Sequence, residues 1–192
     1  MLNLTIHTPE SAPEAAKEML TEARNVYGFI PNLIGAMAAA PGLAKSYFNV
    51  SEMFGSGSLT PIEQQVVALT VSYSNECTYC MAAHSGLAKM AAIPDSELEA
   101  LRSGRALEHP KLEALRVFTR AMVDERGHVS EAEIEAFLAA GFEATQVLEV
   151  IVGIAMKTMS NYTNHIAHIP LDSQFRRFEW KAETPVEAAA GS

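Results

Sequence analysis

The chain has 192 residues, a formal net charge of −9 and 48% hydrophobic residues, enough for one domain with a buried core and no disulfide staples. The acidic balance argues against a nucleic-acid partner, because binding phosphates needs a concentrated basic surface. No run approaches the ~20 apolar residues of a membrane span, and the start Met1-Leu2-Asn3-Leu4-Thr5 lacks the regions of a secretory leader, so a cytoplasmic location with no membrane partner is the expectation.

Helical periodicity dominates, and no segment combines strict alternation with β-branched enrichment and hairpin turns, so the reading is an all-α fold. A first helix is expected over Ala12 to Tyr27, with Pro13 early and Gly28 just past its end. Pro31, Pro41 and Gly42 punctuate the next stretch, and a second helix covers roughly Leu43 to Phe54. Thr60-Pro61 with Glu63 then opens a long apolar helix through Val66, Val67, Leu69, Thr70 and Tyr73. The next helix runs to about Ala92, where Pro94 ends it and Asp95 starts a short charged helix to Ser103. Leu112, Leu115, Phe118 and Met122 repeat at helical spacing, as do Ile134, Phe137 and Leu138 after Ser130, so each set is expected to bury one face. Ala144 to Ala167 is apolar on most sides and reads as a central helix. Residues 1–181 are expected to form a single helical domain, and 182–192 a small, polar, disordered tail.

Chemistry concentrates in Asn75-Glu76-Cys77-Thr78-Tyr79-Cys80-Met81-Ala82-Ala83-His84, which gathers the two cysteines of the chain into one CxxC followed by a histidine. On a helix Cys77, Cys80 and His84 share one stripe. Asn75 is expected as the N-cap, placing Cys77 in the first turn near unpaired N–H groups and the positive end of the macrodipole, which favours thiolate. His84 lies one turn beyond Cys80 and two turns, roughly 10 Å, beyond Cys77, so it couples directly to Cys80. Dipole position alone favours Cys77 as the thiolate; proximity to the histidine favours Cys80, and Cys80 is the thiolate expected.

The sequence also echoes itself. Asn161, Asn164 and His168 repeat the spacing of Cys77, Cys80 and His84, while Gln65 and Glu149 each lie twelve residues before the first member of their set. An internal structural repeat is one reading; coincidence in a helix-rich chain is the other.

Leu59-Thr60-Pro61-Ile62-Glu63-Gln64-Gln65-Val66-Val67-Ala68-Leu69, then Asn75 and the CxxC with its histidine, resembles the alkylhydroperoxidase D / carboxymuconolactone decarboxylase superfamily, particularly its peroxidase-related branch. Ser160-Asn161-Tyr162-Thr163-Asn164-His165, followed by Pro170-Leu171-Asp172, looks like the C-terminal signature of that branch. The resemblance implies an all-helical subunit in homotrimers or homohexamers and a CxxC that cycles between dithiol and disulfide while reducing hydroperoxides. It implies Cys80 as the peroxidatic cysteine, Cys77 as the resolving cysteine and His84 as a proton relay; an external thiol or dithiol is expected as electron donor, and no cofactor or metal is expected. The family's relay glutamate falls at Gln65, which hydrogen-bonds but does not exchange a proton near neutral pH. Glu63 points about 200° away around the helix, leaving Glu76 or Glu149 as carboxylates to replace it, and Tyr79 stands where the family has a histidine between the cysteines.

The function expected is a thiol-dependent, peroxidase-like oxidoreductase with Cys80, Cys77, His84, Gln65 and Glu76 as site residues. The alternative is a non-catalytic, redox-responsive or zinc-binding helical oligomer, with Cys77, Cys80 and His84 as ligands and His165 or His168 as the fourth. Phe29, Tyr47, Phe48 and Phe54 are read as core or as lining for a substrate pocket.

Overall fold

The computed structural model describes residues 2–182. In chain order the helices are α1 (Glu14–Tyr27), α2 (Asn32–Met37), α3 (Pro41–Gly55), α4 (Pro61–Ser74), α5 (Thr78–Met90), α6 (Asp95–Arg102), α7 (Pro110–Asp124), α8 (Glu131–Ala139) and α9 (Ala144–Ala167), followed by a 3-10 helix (Ser173–Phe178). The all-α expectation holds. The short α2 and the 3-10 helix are additions to it. The tail expected at 182–192 lies outside the described residues except for Ala182, which packs against the core.

Local signals set most boundaries. Gly28 ends α1 at φ 77 in the left-handed region and sends its N–H to Arg24 O, as a C-terminal glycine does. Thr60 and Glu63 close a reciprocal capping box at the start of α4, with Pro61 in the first turn. Glu63 also pairs with Lys111 at 2.9 Å, tying α4 to α7.

Two apolar clusters carry the packing. The larger joins α4, α6, α7, α8 and α9 and includes Val66, Val67, Leu69 and Val71, each wholly buried; each such side chain contributes about 1.5–3 kcal/mol. The smaller is built by α1, α2 and α3 and takes in Cys77, Tyr79, Cys80 and Ile169. α5 lies between them. α9 crosses so close to α3 and α4 that a Cβ on Gly153 would meet Val67 Cγ1 at 2.7 Å and Phe54 Cε2 at 2.8 Å.

Two apolar expectations are corrected. Leu138 is exposed, and α9 is not buried on most sides: Leu148, Ile151, Tyr162 and Ile166 are all exposed. Leu148 and Ile151 lie three apart and Tyr162 and Ile166 four apart on one helix, so each pair marks a strip facing outward.

Candidate active site

The placement of the cysteines depends on how α4 ends. Asn75 is the C-cap of α4 rather than the N-cap of α5, Glu76 turns the chain at φ 51, and Cys77 is itself the N-cap of α5. Cys77 N–H donates to Ser72 O at 2.9 Å, which folds the turn back onto α4. Cys80 therefore sits at the third position of α5, in the first turn, where amide N–H groups lack intrahelical partners. The shift in the cap matters, because it brings Cys80 into the field at the helix start that the sequence reading reserved for Cys77.

Both cysteines are free thiols, and both are buried. They belong to one coupled pair. Burial pushes the Cys80 thiol up, but the thiol hydrogen of Cys77, the charge of Lys157, and Ser160 and Asn161 together bring it well below the ordinary thiol range. Cys77 moves the opposite way, raised by its hydrogen bond to Cys80 and by burial. Cys80 is thus the more acidic thiol of the two and Cys77 the less acidic, and the lowering of Cys80 comes from Cys77, Lys157, Ser160 and Asn161 rather than from His84.

His84 and Gln65 come together: His84 Nδ1 lies 2.9 Å from Gln65 Oε1. A carbonyl oxygen only accepts, so Nδ1 carries the proton and Nε2 keeps the lone pair. Burial, and then the charge of Lys157, hold the imidazole well below its ordinary pKa; it is neutral at physiological pH. The carboxylates suggested as replacements are elsewhere. Glu76 is exposed in its turn, Glu149 accepts from the N–H groups of Ser58 and Leu59 at 2.9–3.0 Å ahead of α4, and Glu63 is held by Thr60 and Lys111.

The second half of the sequence echo meets the first. Asn164 Nδ2 donates to Cys77 Sγ at 3.6 Å, and Asn161 Oδ1 accepts from Asn75 Nδ2 at 2.9 Å. Asn161 is wholly buried and its Nδ2 has no partner of hydrogen-bonding geometry. α9 is nonetheless one continuous helix where α4 and α5 are broken by a turn, and His168 caps its end, exposed, at φ 47.

A cavity of about 350 Å³ opens at Cys80. His84, Gln65, Tyr79 and Lys157 line it together with an apolar wall that includes Phe29, Tyr47, Phe54, Leu87, Met156 and Phe175. Of the aromatic residues read as candidate lining, Phe48 alone is absent from the wall. Tyr79 donates to Asp172 Oδ2 at 2.5 Å and accepts from Leu33 N–H at 3.3 Å, so it fixes the cavity floor to α2 and to the segment after α9. Among the described residues no three His, Cys, Asp or Glu side chains are grouped to hold a metal ion, and His165 and His168 are exposed.

Sequence reasoning missed Lys157. It is 1% exposed on α9, and its charge acts on Cys80, Cys77, His84 and Tyr27. Its i+3 and i+4 relation to Ser160 and Asn161 was available as a signal only once those residues were known to face the cysteines.

Residues 41–121 match the model of the carboxymuconolactone decarboxylase family. The matched segment is 81 of the 192 residues. It runs from α3 into α7 and holds Gln65, both cysteines and His84, whereas Lys157, Asn161 and Asn164 lie beyond it. No curated protein matches the chain. Among solved structures the chain is similar to an uncharacterized peroxidase-related protein from Ralstonia eutropha JMP134, described as an alkylhydroperoxidase AhpD core, with TM-score 0.79 and 19% identity over 89% of this chain and 92% of that one. A peroxidase-related protein from Silicibacter sp. TM1040 gives TM-score 0.76 at 18% identity, covering 91% and 92%. The debrominase Bmp8, solved in complex with 2,3,4-tribromopyrrole, gives TM-score 0.77 at 16% identity, covering 93% and 96%. At these identities the likeness is one of fold.

Proposed function

We propose that this protein is a thiol-dependent oxidoreductase that reduces hydroperoxides through a Cys77/Cys80 dithiol–disulfide cycle. The observation that carries the reading is the placement of the pair: Cys80 lines an apolar cavity, with the free, buried Cys77 three residues away to resolve its oxidised form, and the surroundings of Cys80 lower its thiol pKa. The Cys80 thiolate attacks the distal oxygen of a hydroperoxide and becomes a sulfenic acid, which Cys77 converts to a disulfide with loss of water. An external thiol or dithiol resets the pair by exchange. The apolar lining suits an organic hydroperoxide better than hydrogen peroxide, and Tyr47 and the free Nε2 of His84 are the polar groups that orient it.

The protein acts as a homotrimer or homohexamer, and the exposed Leu148, Ile151, Tyr162 and Ile166 of α9 supply apolar contact area between subunits. Among the described residues no single helix is long and apolar enough to cross a membrane, which accords with a cytoplasmic role for a reduced CxxC.

The test is consumption of cumene hydroperoxide by the purified protein with a dithiol donor, alongside thiol counting after one equivalent of oxidant. Wild type should lose both thiols, recover them with the donor and turn over; Cys80→Ser should keep its fold and lose turnover. Normal turnover by Cys80→Ser refutes the mechanism. A thiolate in an aromatic cavity also suits attack on an aryl halogen, and Bmp8 shares the fold, so 2,3,4-tribromopyrrole is the second substrate to offer.

A further inference from the structure

Lys157 raises a problem of charge. It is 1% exposed and lines the cavity beside Cys80 and His84, yet no Asp or Glu among the described residues lines that cavity. A buried ammonium without an anion is strongly disfavoured; it pairs or gives up its proton. His84 does not fill the role of acid either, because the proton on its Nδ1 is committed to Gln65 Oε1 at 2.9 Å. Of the ionisable acids that share the site, Cys77, Tyr27, Tyr47 and Tyr79 are all pushed up, whereas Cys80, which lines the same cavity as Lys157, is lowered. The unpartnered Nδ2 of the wholly buried Asn161, one turn along α9, gives the same indication, since a thiolate accepts where a thiol barely does.

We propose that Lys157 is the proton donor of the site, held as an ammonium against the Cys80 thiolate at rest and passing its proton to the oxygen that leaves when Cys80 is oxidised. This rests on the peroxidase reading above. An electron pair of Cys80 Sγ attacks the distal oxygen; the S–O bond forms, the O–O bond breaks, and the leaving alkoxide takes the proton of Lys157 to become an alcohol. Ammonium and thiolate become amine and sulfenic acid, so the cavity holds no net charge before or after the step. Cys77 then gives its proton to the amine and attacks Cys80 Sγ; the S–S bond forms, the S–O bond breaks, and the hydroxide departs with that proton as water. A dithiol donor supplies two electrons and two protons, one proton returning to Cys77 and one to Lys157, and leaves as its own disulfide.

The titratable groups facing the pair are Cys77 before α5, Tyr79 and His84 on α5, Tyr47 on α3 and Tyr27 on α1. The test compares wild type, Lys157→Met and Lys157→Arg by two readouts. The first is the pH dependence of Cys80 alkylation by iodoacetamide, located by mass spectrometry, which needs no peroxide. Lys157→Met should lower the alkylation rate at pH 6 by about tenfold for each unit the thiol rises, while Lys157→Arg keeps the charge and retains low-pH reactivity. The second is the ratio of turnover on tert-butyl hydroperoxide, whose alkoxide needs a proton, to turnover on a peroxy acid, whose carboxylate does not. In Lys157→Arg that ratio should fall by about 100-fold, the lower end of general acid catalysis. A wild-type alkylation profile in Lys157→Met, or an unchanged ratio in Lys157→Arg, overturns the proposal. Should either variant fail to fold, wild type decides: alkylation that rises only near the ordinary thiol value of about 8.5 overturns it as well. A protein inert to both oxidants, yet dependent on Lys157 for low-pH alkylation, overturns the peroxidase reading and the donor role while retaining the ion pair.

Discussion

Removing the hydroxyl of Tyr79, the carboxylate of Asp172, or both, measures how firmly the CxxC turn is tied down. Tyr79 sits between the cysteines, 4% exposed, and donates at 2.5 Å to Asp172, itself 5% exposed. Asp172 also accepts from Asn32 N–H at 3.0 and 3.2 Å. A hydrogen bond to a charged group is worth about 1.5–3 kcal/mol net, so Tyr79→Phe should destabilise the protein by roughly that much, including the loss of the acceptor for Leu33 N–H. Asp172→Ala strands two donors, one buried and one half-buried, and should cost roughly 3–4 kcal/mol. The double variant loses the shared bond only once, so the coupling energy from the cycle should be about 1.5–3 kcal/mol. Urea unfolding followed by circular dichroism gives the four stabilities. A coupling within about 0.5 kcal/mol of zero would refute the claim that these groups act as a unit.

Three other substitutions probe the relay, the helix packing and an ion pair. Gln65→Glu places a carboxylate against His84 Nδ1, which favours the imidazolium and raises a pKa now held low by burial and Lys157; turnover on cumene hydroperoxide should rise at least about tenfold, and an unchanged rate argues that the relay position is idle. Gly153→Ala puts its Cβ within 3 Å of Val67 and Phe54, an overpacking that should cost about 1–3 kcal/mol; an unchanged or higher Tm shows that α3 and α9 separate freely. Burial raises the Glu63 carboxyl, but Lys111 and Thr60 bring it below the ordinary value. A depressed folded-state pKa stabilises above the unfolded value of about 4.3 and is lost as pH falls through the folded one. The stability gap between wild type and Glu63→Gln should therefore be full at pH 7 and shrink below pH 4, and a gap that persists at acid pH contradicts the ion pair.

The helices were legible in the sequence where a residue type has one conformational use. Thr60, Pro61 and Glu63 announced the start of α4, and Gly28 announced the end of α1. Cys77, Cys80, His84 and Gln65 were legible because their spacing survives any small shift of helix boundary. Asn75 misled because asparagine serves either end of a helix, and the choice turned on Cys77 N–H reaching Ser72 O, a contact between residues on both sides of a break. Lys157 was illegible for a different reason. A lone lysine on an apolar helix ordinarily extends its stem along the surface with its charge in water, and only the packing of α9 against α3 and α5 turns this one inward. Leu148 and Ile151 misled in reverse, since apolar residues on every side of a helix read as burial, whereas both of these are exposed.

The burial of Cys77 constrains what can reset the protein. Thiol exchange needs the attacking sulfur to approach a disulfide sulfur directly, yet Cys77 is wholly enclosed and Cys80 is reached through a cavity of about 350 Å³. A cavity of that volume favours a small dithiol donor over the active-site loop of a redox partner protein, which would need α1, α2 and α3 to move away from α5. The size of the reductant is therefore a gauge of motion: efficient reduction by a protein donor would mean that the smaller apolar cluster opens during every cycle, whereas preference for a small dithiol would mean that it stays shut.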